Sequence, residues 1–155
     1  MIAPKLSRSA FLKLAGISST GIALAACGVK PTDLEIVQPA HPNPDAFAQF
    51  AFEMRRIAIE RGDQAYGAII VKENRVVGLG PSRVVVNRDA TAHAEMEAIR
   101  DASRRLGAAD LSGCVMYSTA RPCRMCETAA YLARIEKMFY GADAADAGAP
   151  RYGAC

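Results

Sequence analysis

Apolar residues recur along the middle of the chain at helical spacing, and this pattern predicts three amphipathic helices. The first follows Asn43-Pro44, where an Asn cap and a proline at the first helical position favour a helix start, and Gly62 ends it. The other two are predicted at residues 92–106 and after Pro122, where apolar residues again return every three or four positions. Each helix should therefore bury one face and leave the other in water.

Short apolar and β-branched runs lie between the helical segments. Residues 65–71 and 75–79 are separated by Glu73-Asn74, which predicts a hairpin of two strands. Two further strands and a last short helix are predicted at residues 114–118, 137–140 and 142–147. The resulting order, α-β-β-α-β-α-β, predicts an α/β domain in which helices cover a mixed sheet.

Residues 1–27 are predicted to be an export signal. They hold three basic residues and no acidic one, followed by a modestly apolar stretch and small residues before Cys27. Gly, Ser and Thr cluster there, which disfavours the alternative, an N-terminal core helix. Residues 24–27 resemble the lipobox of bacterial lipoproteins, and residues 7–13 resemble a twin-arginine signal with Ser9 in place of the second arginine. This resemblance implies a lipid on Cys27 and a place in the periplasm or cell envelope, by the twin-arginine or the general secretory route.

The rest of the chain divides into a linker and one domain. Residues 28–43 are predicted to be a linker, because closely spaced prolines hold the backbone extended, and the lone His41 within it is expected to be solvated. Residues 44–155 are enough for one folded domain with its own core. No apolar run reaches the roughly 18 residues of a spanning helix, so membrane contact is expected only through a lipidated Cys27.

The formal net charge of +3 comes from the predicted export signal. From Gly28 onward 16 basic residues stand against 16 acidic ones, so the linker and domain together have no net charge. A protein that binds the phosphate backbone of nucleic acid usually has a broad basic surface. The equal numbers of basic and acidic residues therefore argue against a nucleic-acid partner, although a local basic patch is still allowed.

Two short motifs supply four side chains that suit a metal centre. They read Thr91-Ala-His-Ala-Glu95 and Pro122-Cys-Arg-Met-Cys126, and they provide an imidazole, two thiols and a carboxylate. Cys123 and Cys126 lie three positions apart at a predicted helix start, so they share one face, and the positive end of the helix dipole favours thiolate there. His93 also falls at a helix start. Three such ligands leave a fourth position for water, which predicts a catalytic Zn²⁺ site of His93, Cys123 and Cys126.

Glu95 is predicted to be the catalytic acid–base group. Two residues of helix rotate a side chain by roughly 200°, so Glu95 is not expected to share the metal with His93 and is free to face a substrate held beside it. There it can take a proton from water and deliver it to a ring nitrogen and a leaving amine. His-x-Glu together with Pro-Cys-x-x-Cys is the signature of zinc deaminases that act on nucleobases.

Other interpretations of the cysteines stay open. A lone Cys-x-x-Cys also occurs as a redox pair or as half of a zinc knuckle, whereas an odd total of five cysteines argues against a disulfide scaffold. A closed structural zinc site needs a fourth ligand, and Cys114 is the nearby candidate. Because Cys114 lies within a predicted strand, we expect it to be a buried apolar residue. Cys155 is expected to be a loose terminal thiol.

Residues 89–147 resemble the cytidine and deoxycytidylate deaminase superfamily, above all its guanine deaminases and next its tRNA adenosine deaminases. Residues 89–100 match the Asp-Pro-Thr-Ala-His-Ala-Glu signature of both groups, with Ala90 where the signature has proline, and residues 143–148 resemble the guanine deaminase tail. The resemblance implies a three-layer α/β/α sandwich around a mixed five-stranded sheet, with the fifth strand parallel to the fourth. It also implies hydrolytic release of ammonia and a homodimer.

The sequence departs from this superfamily at three places around the expected pocket. Ser82 stands where the superfamily has an Asn that hydrogen-bonds the ring, which implies a substrate-binding role for Ser82 with a shorter side chain. Arg121 replaces a usual Glu and puts a cation at the entrance, either solvated or in contact with an anionic or carbonyl-bearing substrate. The resemblance ends near residue 148, so we expect an open site or one completed by a partner subunit.

Together these features predict an exported zinc deaminase that releases ammonia from a free nucleobase or nucleoside, in the manner of a guanine deaminase. The alternatives are deamination of tRNA adenosine, deamination of cytosine, and a zinc-containing binding domain without turnover. An exported protein does not meet tRNA, which disfavours the first alternative. Ammonia release from a panel of bases and nucleosides separates all four.

Overall fold

The computed structural model describes residues 34–152 of the 155-residue chain. None of the helices in this range combines the length and the apolar character needed to cross a bilayer. The predicted export signal with Cys27, and also Cys155, lie outside the described residues and stay predictions. The elements in chain order are α1 (Pro44–Glu60), β1 (Gly67–Lys72), β2 (Arg75–Pro81), α2 (Val84–Asn87), α3 (Ala94–Leu106), β3 (Cys114–Ser118), α4 (Arg124–Leu132), β4 (Lys137–Tyr140) and β5 (Ala145–Gly148).

The three predicted amphipathic helices are α1, α3 and α4, and two of their ends follow the predicted cap chemistry. Asn43 Oδ1 accepts the Ala46 N–H at 2.8 Å and so caps the start of α1. Gly107 ends α3 in the left-handed conformation with φ of 64°, which glycine adopts without strain. In α3, acidic residues occupy the first turn and basic residues the last, which complements the helix dipole. Local cap chemistry therefore marks the start of α1 and the end of α3.

The five strands form one mixed sheet in the order β2-β1-β3-β4-β5. β1 and β2 form the predicted hairpin, and its turn residues Glu73 and Asn74 have positive φ values of 49° and 58°, as a type I′ turn requires. β3 pairs antiparallel with β1 and parallel with β4, and α4 connects the two parallel strands. The carboxyl ends of β3 and β4 therefore lie at the same edge of the sheet as the start of β1.

Helices cover both faces of this sheet, which confirms the predicted α/β/α sandwich. On one face α1 packs against side chains of the central strands, in a core that includes Phe47, Met54, Ile69, Val76, Leu79 and Tyr117. On the other face α3 and α4 enclose a second core that includes Ala98, Ile99, Ala102, Ile70, Met116, Ala130 and Met138. Small residues predominate in the second core, and this lets α3 and α4 lie close to the strands.

Two sequence-based expectations are wrong at the end of the domain. Residues 145–148 form strand β5 and not the predicted helix, and β5 runs antiparallel to β4 and not parallel to it. The connection explains the direction, because only four residues, 141–144, separate the two strands, and a parallel pair needs a crossover of a dozen or more residues. The sequence pattern also missed the one-turn helix α2.

Part of the predicted linker is packed against the domain. Leu34 and Ile36 contact the core on the α1 face of the sheet. The side-chain amide of Gln38 donates to the Val76 carbonyl and accepts the Val76 N–H, both at 2.8 Å, as a neighbouring strand would do. His41 is exposed, in agreement with its expected solvation. Residues 34–38 therefore add to the fold alongside β2.

Helix α3 lies unusually close to strand β2 because glycines face it. A Cβ atom at Gly80 would sit 2.1 Å from the Ala94 carbonyl oxygen and 2.5 Å from the Ala98 nitrogen. A Cβ at Gly78 would sit 2.6 Å from the Ala98 oxygen. These atoms are helix backbone, which cannot move aside alone. Because Gly78 and Gly80 have no side chain, β2 and α3 can approach this closely.

We expect Gly80→Ala to push α3 away from the sheet. Overpacking of this kind costs about 1–3 kcal/mol of unfolding free energy. It should also weaken zinc binding, because Ala94 lies next to His93. Urea denaturation and a zinc-competition titration measure the two effects. Gly107→Ala is the control: no atom lies within 4 Å of its Cβ position, so it should lose about 1–2 kcal/mol to backbone strain and keep its zinc affinity. Equal zinc affinity in both variants would contradict the prediction.

Candidate functional site

The three predicted metal ligands converge at one point. Nδ1 of His93 lies 3.7 Å from the Cys123 sulfur and 3.6 Å from the Cys126 sulfur, and the two sulfurs are 3.7 Å apart. Zinc bonds of about 2.3 Å to sulfur and about 2.0 Å to nitrogen, at tetrahedral angles, require S···S and N···S separations of roughly 3.8 and 3.5 Å. The donor set therefore fits a tetrahedral zinc ion.

The ligands are held by the starts of two helices. His93 is the N-cap residue of α3, Cys123 is the N-cap residue of α4, and Cys126 lies in the first turn of α4. Neither N-cap side chain bonds its own helix, so both are free to bind a metal. Two helix N-termini with their partial positive charges favour thiolate and other anionic groups at this point. The sequence-based expectation of this geometry agrees with the arrangement.

Glu95 lies beside the three ligands without joining them. Its side chain is 8% exposed, and its Oε2 atom is 3.5 Å from the Cys126 sulfur. Burial raises the pKa of Glu95, although its own backbone N–H and the Cys126 thiol act in the opposite direction. Burial also raises the pKa of the Cys126 thiol, and the neighbouring Glu95 carboxylate adds to this. A bound dication opposes the shift at Cys126, because it holds a coordinating thiol as thiolate.

Within residues 34–152 no fourth side chain of ligand type joins this group. Cys114, the candidate for a closed site, is fully buried in β3 within the core under α3 and α4. Burial raises the pKa of its thiol, as expected for an apolar residue. The donor set is therefore three protein ligands, as in catalytic zinc centres, which leave one position for water or substrate.

A cleft of about 940 Å³ opens at this point, at the edge of the sheet where β3 ends. His93, Glu95 and Cys123 form part of its wall. The remaining wall comes from α1, from the loop before β1, from the first residue of α3 and from the segment after β3. Its residues are Phe52, Arg55, Gln64, Ala65, Tyr66, Ala94, Thr119, Ala120 and Arg121. A ligand in this cleft would lie between the metal position and α1.

The sequence analysis missed the contribution of α1 to this cleft. Phe52 and Arg55 lie three positions apart on α1, outside the apolar stripe that runs through Ala51 and Met54. An aromatic residue off the buried face of an amphipathic helix was the available signal. Arg121 was singled out from the sequence, and the structure places it in the cleft wall, exposed and near the Tyr140 ring.

The structure places Ser82 away from the cleft wall. Its side chain is 1% exposed, and its hydroxyl donates to Asp63 Oδ1 at 2.8 Å. Its backbone N–H donates to the Tyr66 carbonyl at 3.1 Å. Ser82 therefore holds the loop before β1, which lines the cleft, and no contact in the structure supports the predicted role of Ser82 in binding substrate.

The Asp63 carboxylate accepts several hydrogen bonds that hold the loop before β1 in place. Besides Ser82, it accepts the N–H groups of Val85 and Val86 at 2.9 Å and so caps the short helix α2. Burial acts to raise the pKa of Asp63, but the backbone N–H groups and the Ser82 hydroxyl outweigh it and hold the pKa below its usual value. A carboxyl group with a lowered folded-state pKa stabilises the fold above its unfolded pKa of about 3.9 and loses this effect as the pH falls through the folded-state value.

We expect Asp63→Asn to lower the unfolding free energy at pH 7 by about 1–3 kcal/mol, since the buried Ser82 hydroxyl and the N–H groups of Val85 and Val86 lose an ionised acceptor. The difference from the wild type should shrink below roughly pH 4, where Asp63 itself becomes protonated. Urea denaturation at pH 7 and at about pH 3 measures both values. Asp143→Asn, at an exposed carboxylate, is the control and should change neither. A difference that is independent of pH would contradict the prediction.

Comparison with known families identifies this arrangement. Residues 42–142 match the family described as the cytidine and deoxycytidylate deaminase zinc-binding region. The chain belongs to this deaminase family. The matched range contains His93, Glu95, Cys123 and Cys126. Zinc is thus the metal that both the family and the donor geometry indicate, and the family agrees with the sandwich fold.

Two kinds of deaminase are among the similar proteins. A tRNA-specific adenosine deaminase of Aquifex aeolicus is 44% identical over 96 residues, covering 62% of this chain and 64% of the relative. A guanine deaminase of Bacillus subtilis is 45% identical over 86 residues, covering 54% of this chain and 55% of the relative. The crystal structure of a B. subtilis guanine deaminase has a TM-score of 0.62 at 38% identity and covers 64% of each chain. The chain thus spans somewhat over half the length of the curated relatives it matches first.

Proposed function

We propose that this protein is a zinc-dependent hydrolytic deaminase that releases ammonia from a free nucleobase or nucleoside, with guanine as the first candidate. The observation that carries the proposal is the position of Glu95. It is a buried carboxylate 3.5 Å from the Cys126 sulfur that faces the same cleft as the ligands. A purely structural zinc site needs no such group.

Each residue of the site has its own role in the proposed reaction. His93, Cys123 and Cys126 would hold the zinc ion, which in such sites makes water nucleophilic at neutral pH. Glu95 takes one proton from the attacking water and gives it to the ring nitrogen, and it then takes the proton of the added hydroxyl group and gives it to the leaving amine. Burial suits this role because it raises the pKa of Glu95 above its ordinary value, which favours a group that both takes and returns a proton. Phe52 and Tyr66 in the cleft wall offer aromatic faces for a planar ring.

Deamination of tRNA adenosine is the second candidate, because a relative with that name is as similar to this chain as the guanine deaminase. The equal numbers of acidic and basic residues from position 28 onward favour a small molecule. The proposed export signal favours it as well. Mass spectrometry of the protein from membranes tests the proposed export separately, because it would detect a diacylglyceryl group on Cys27.

We expect zinc-loaded protein to release ammonia from guanine or guanosine faster than from adenine, adenosine, cytosine or cytidine. A coupled ammonia assay on this panel, with a tRNA bearing an unmodified adenosine as an extra substrate, measures the reaction. The same protein stripped with a chelator should be inactive and should recover with added zinc. Reaction with the tRNA alone would establish the second candidate. Bound zinc with no turnover on any substrate would establish a binding domain.

A further inference from the structure

We propose that the cleft binds an anionic group on the substrate, a phosphate or a carboxylate, through Arg55 and Arg121. The inference rests on the proposed deaminase function and narrows its substrate class. The ring that loses its amine would carry an acidic substituent, and the bare base would be the poorer substrate. Both arginines belong to the wall of the cleft that also contains His93 and Glu95.

The first of these arginines, Arg55, has a buried guanidinium nitrogen without a hydrogen-bond acceptor. Its Nε atom is buried and makes no hydrogen bond, and its guanidinium group lies 5.8 Å from the centre of the Phe52 ring. Arg83 is the other arginine within residues 34–152 with a buried, unbonded Nε, but that atom is 3.9 Å from a carboxylate oxygen of Glu97. Arg55 makes no ion pair within residues 34–152. Because Arg55 is part of the cleft wall, an anionic group in the cleft could form charge-assisted hydrogen bonds with it without displacing a carboxylate.

Arg121 is the second arginine of the cleft wall that has no carboxylate partner within residues 34–152. It is exposed, its guanidinium carbon lies 6.0 Å from the centre of the Tyr140 ring, and it makes no ion pair within the described part of the chain. Glu95 is the one carboxylate in the cleft wall, and it is buried beside the Cys126 sulfur. With that carboxylate turned toward the metal ligands, the outer part of the cleft has positive charge and no acid to balance it.

The backbone brings the two arginines to the same edge of the sheet. Arg55 lies directly over the first residue of β1, since a Cβ atom at Gly67 would be 2.2 Å from the Arg55 nitrogen. The Gly67 N–H donates to the Thr119 hydroxyl at 3.1 Å, and Arg121 follows two residues later. The Thr119 N–H in turn donates to the Gly67 carbonyl at 2.9 Å, so two hydrogen bonds join the strand beneath Arg55 to the segment that carries Arg121.

The size of the cleft is consistent with a substituted ring. Its volume of about 940 Å³ is near the upper end of ligand pockets, which span roughly 300–1,000 Å³. A bare base leaves much of that space to water. Guanidinium groups bind phosphate and carboxylate oxygens through paired N–H bonds, which gives both strength and orientation. The same chemistry could come from a sugar phosphate or from an acid attached to the ring, and the two are separated by experiment.

The test compares matched substrates on zinc-loaded, full-length protein. In the guanine, adenine and cytosine series, kcat/KM is measured for the base, the nucleoside, the 5′-monophosphate and an N-carboxymethyl base. In whichever series reacts, we expect an acidic member to exceed its neutral counterpart by about tenfold or more, since charge-assisted bonds are the strong ones. The preference should fall as salt is added, because Arg121 is exposed to solvent. The better acidic member identifies the anion.

Variants connect the preference to the two residues. Arg121→Gln and Arg55→Gln should each reduce the acidic-to-neutral ratio of kcat/KM by about tenfold. Arg55→Lys should restore part of it, which guards against a loss caused by misfolding. Arg75→Gln is the matched control, because Arg75 is exposed at the start of β2 and outside the cleft wall. It should keep the wild-type ratio.

Calorimetric titration of guanosine and its 5′-monophosphate makes the inference independent of turnover. Tighter binding of the monophosphate, lost in Arg121→Gln, would support it even if no compound is deaminated, and the proposed function would then fail alone. Turnover with an acidic-to-neutral ratio near one, unchanged in both Gln variants, would overturn the inference and leave the deaminase function intact. Turnover of tRNA with no binding of any monophosphate would also overturn it.

Discussion

Glu95→Gln is expected to keep zinc bound and to lower kcat by about 10²–10⁴-fold. Glutamine has nearly the same shape as glutamate, so it can occupy the buried position beside the Cys126 sulfur. It cannot accept and return a proton, and general acid–base catalysis contributes about that factor. Ammonia release measured together with zinc content by mass spectrometry checks both halves of the expectation.

Glu97→Gln is the matched control on the same helix. Glu97 is also buried, but it pairs with Arg100 at 2.6 Å and lies outside the wall of the cleft. We expect this variant to keep its zinc and most of its activity while losing some stability. If Glu95→Gln retained activity within tenfold of the wild type, another group would have to move the proton. Loss of zinc from Glu95→Gln would make Glu95 a ligand.

Cys126→Ser is expected to abolish activity by removing the metal. Cys126 is buried, and its sulfur lies 3.6 Å from the His93 nitrogen, so it is one of the three donors that converge on the metal position. Serine is a shorter and harder donor that stays protonated at neutral pH. Since losing even an outer hydrogen-bond partner of a ligand costs 10–100-fold in affinity, we expect a loss of at least about 100-fold.

A competition titration with a chromophoric chelator measures this affinity, and thermal unfolding with and without zinc gives a second measure. Zinc should raise the unfolding temperature of the wild type and not that of Cys126→Ser, because only a bound ligand stabilises the folded state. Cys114→Ser is the control: Cys114 is equally buried, but it lies in the core away from the site. This variant should be less stable and still respond to zinc. Full zinc occupancy in Cys126→Ser would disprove the ligand assignment.

The parts of the fold that could be predicted from the sequence are those set by neighbouring residues. Asn43 and Gly107 act within one turn of their helices, and Glu73-Asn74 adopts its turn conformation locally. The metal site was predictable for a related reason. Its ligand types and their spacing at helix starts are themselves a local pattern, and only the convergence of His93 with the two cysteines needed the fold.

The errors arose where distant contacts outweigh local preference. Residues 142–147 are rich in Ala and Asp and have a helical composition, yet Ala145 pairs with Tyr140 and Asp146 bonds Lys137 at 2.6 Å. Conversely, the three valines of α2 favour a strand, but Asp63, more than twenty positions earlier, caps them into a helical turn. The partner of Ser82 is the same distant carboxylate. No pattern within a single segment contains that information.

The two hydrogen bonds of the Gln38 side chain limit how far the N-terminus of this protein can be shortened. A protein starting at residue 44 would keep every helix and strand of residues 34–152 but would lose Gln38, Leu34 and Ile36 from beside β2. The Val76 N–H and carbonyl would then be unpaired at the margin of the sheet, next to newly bared apolar side chains. Such a margin recruits strands from other molecules. We therefore expect truncation at residue 44 to yield aggregates, and truncation before residue 34 to yield soluble protein.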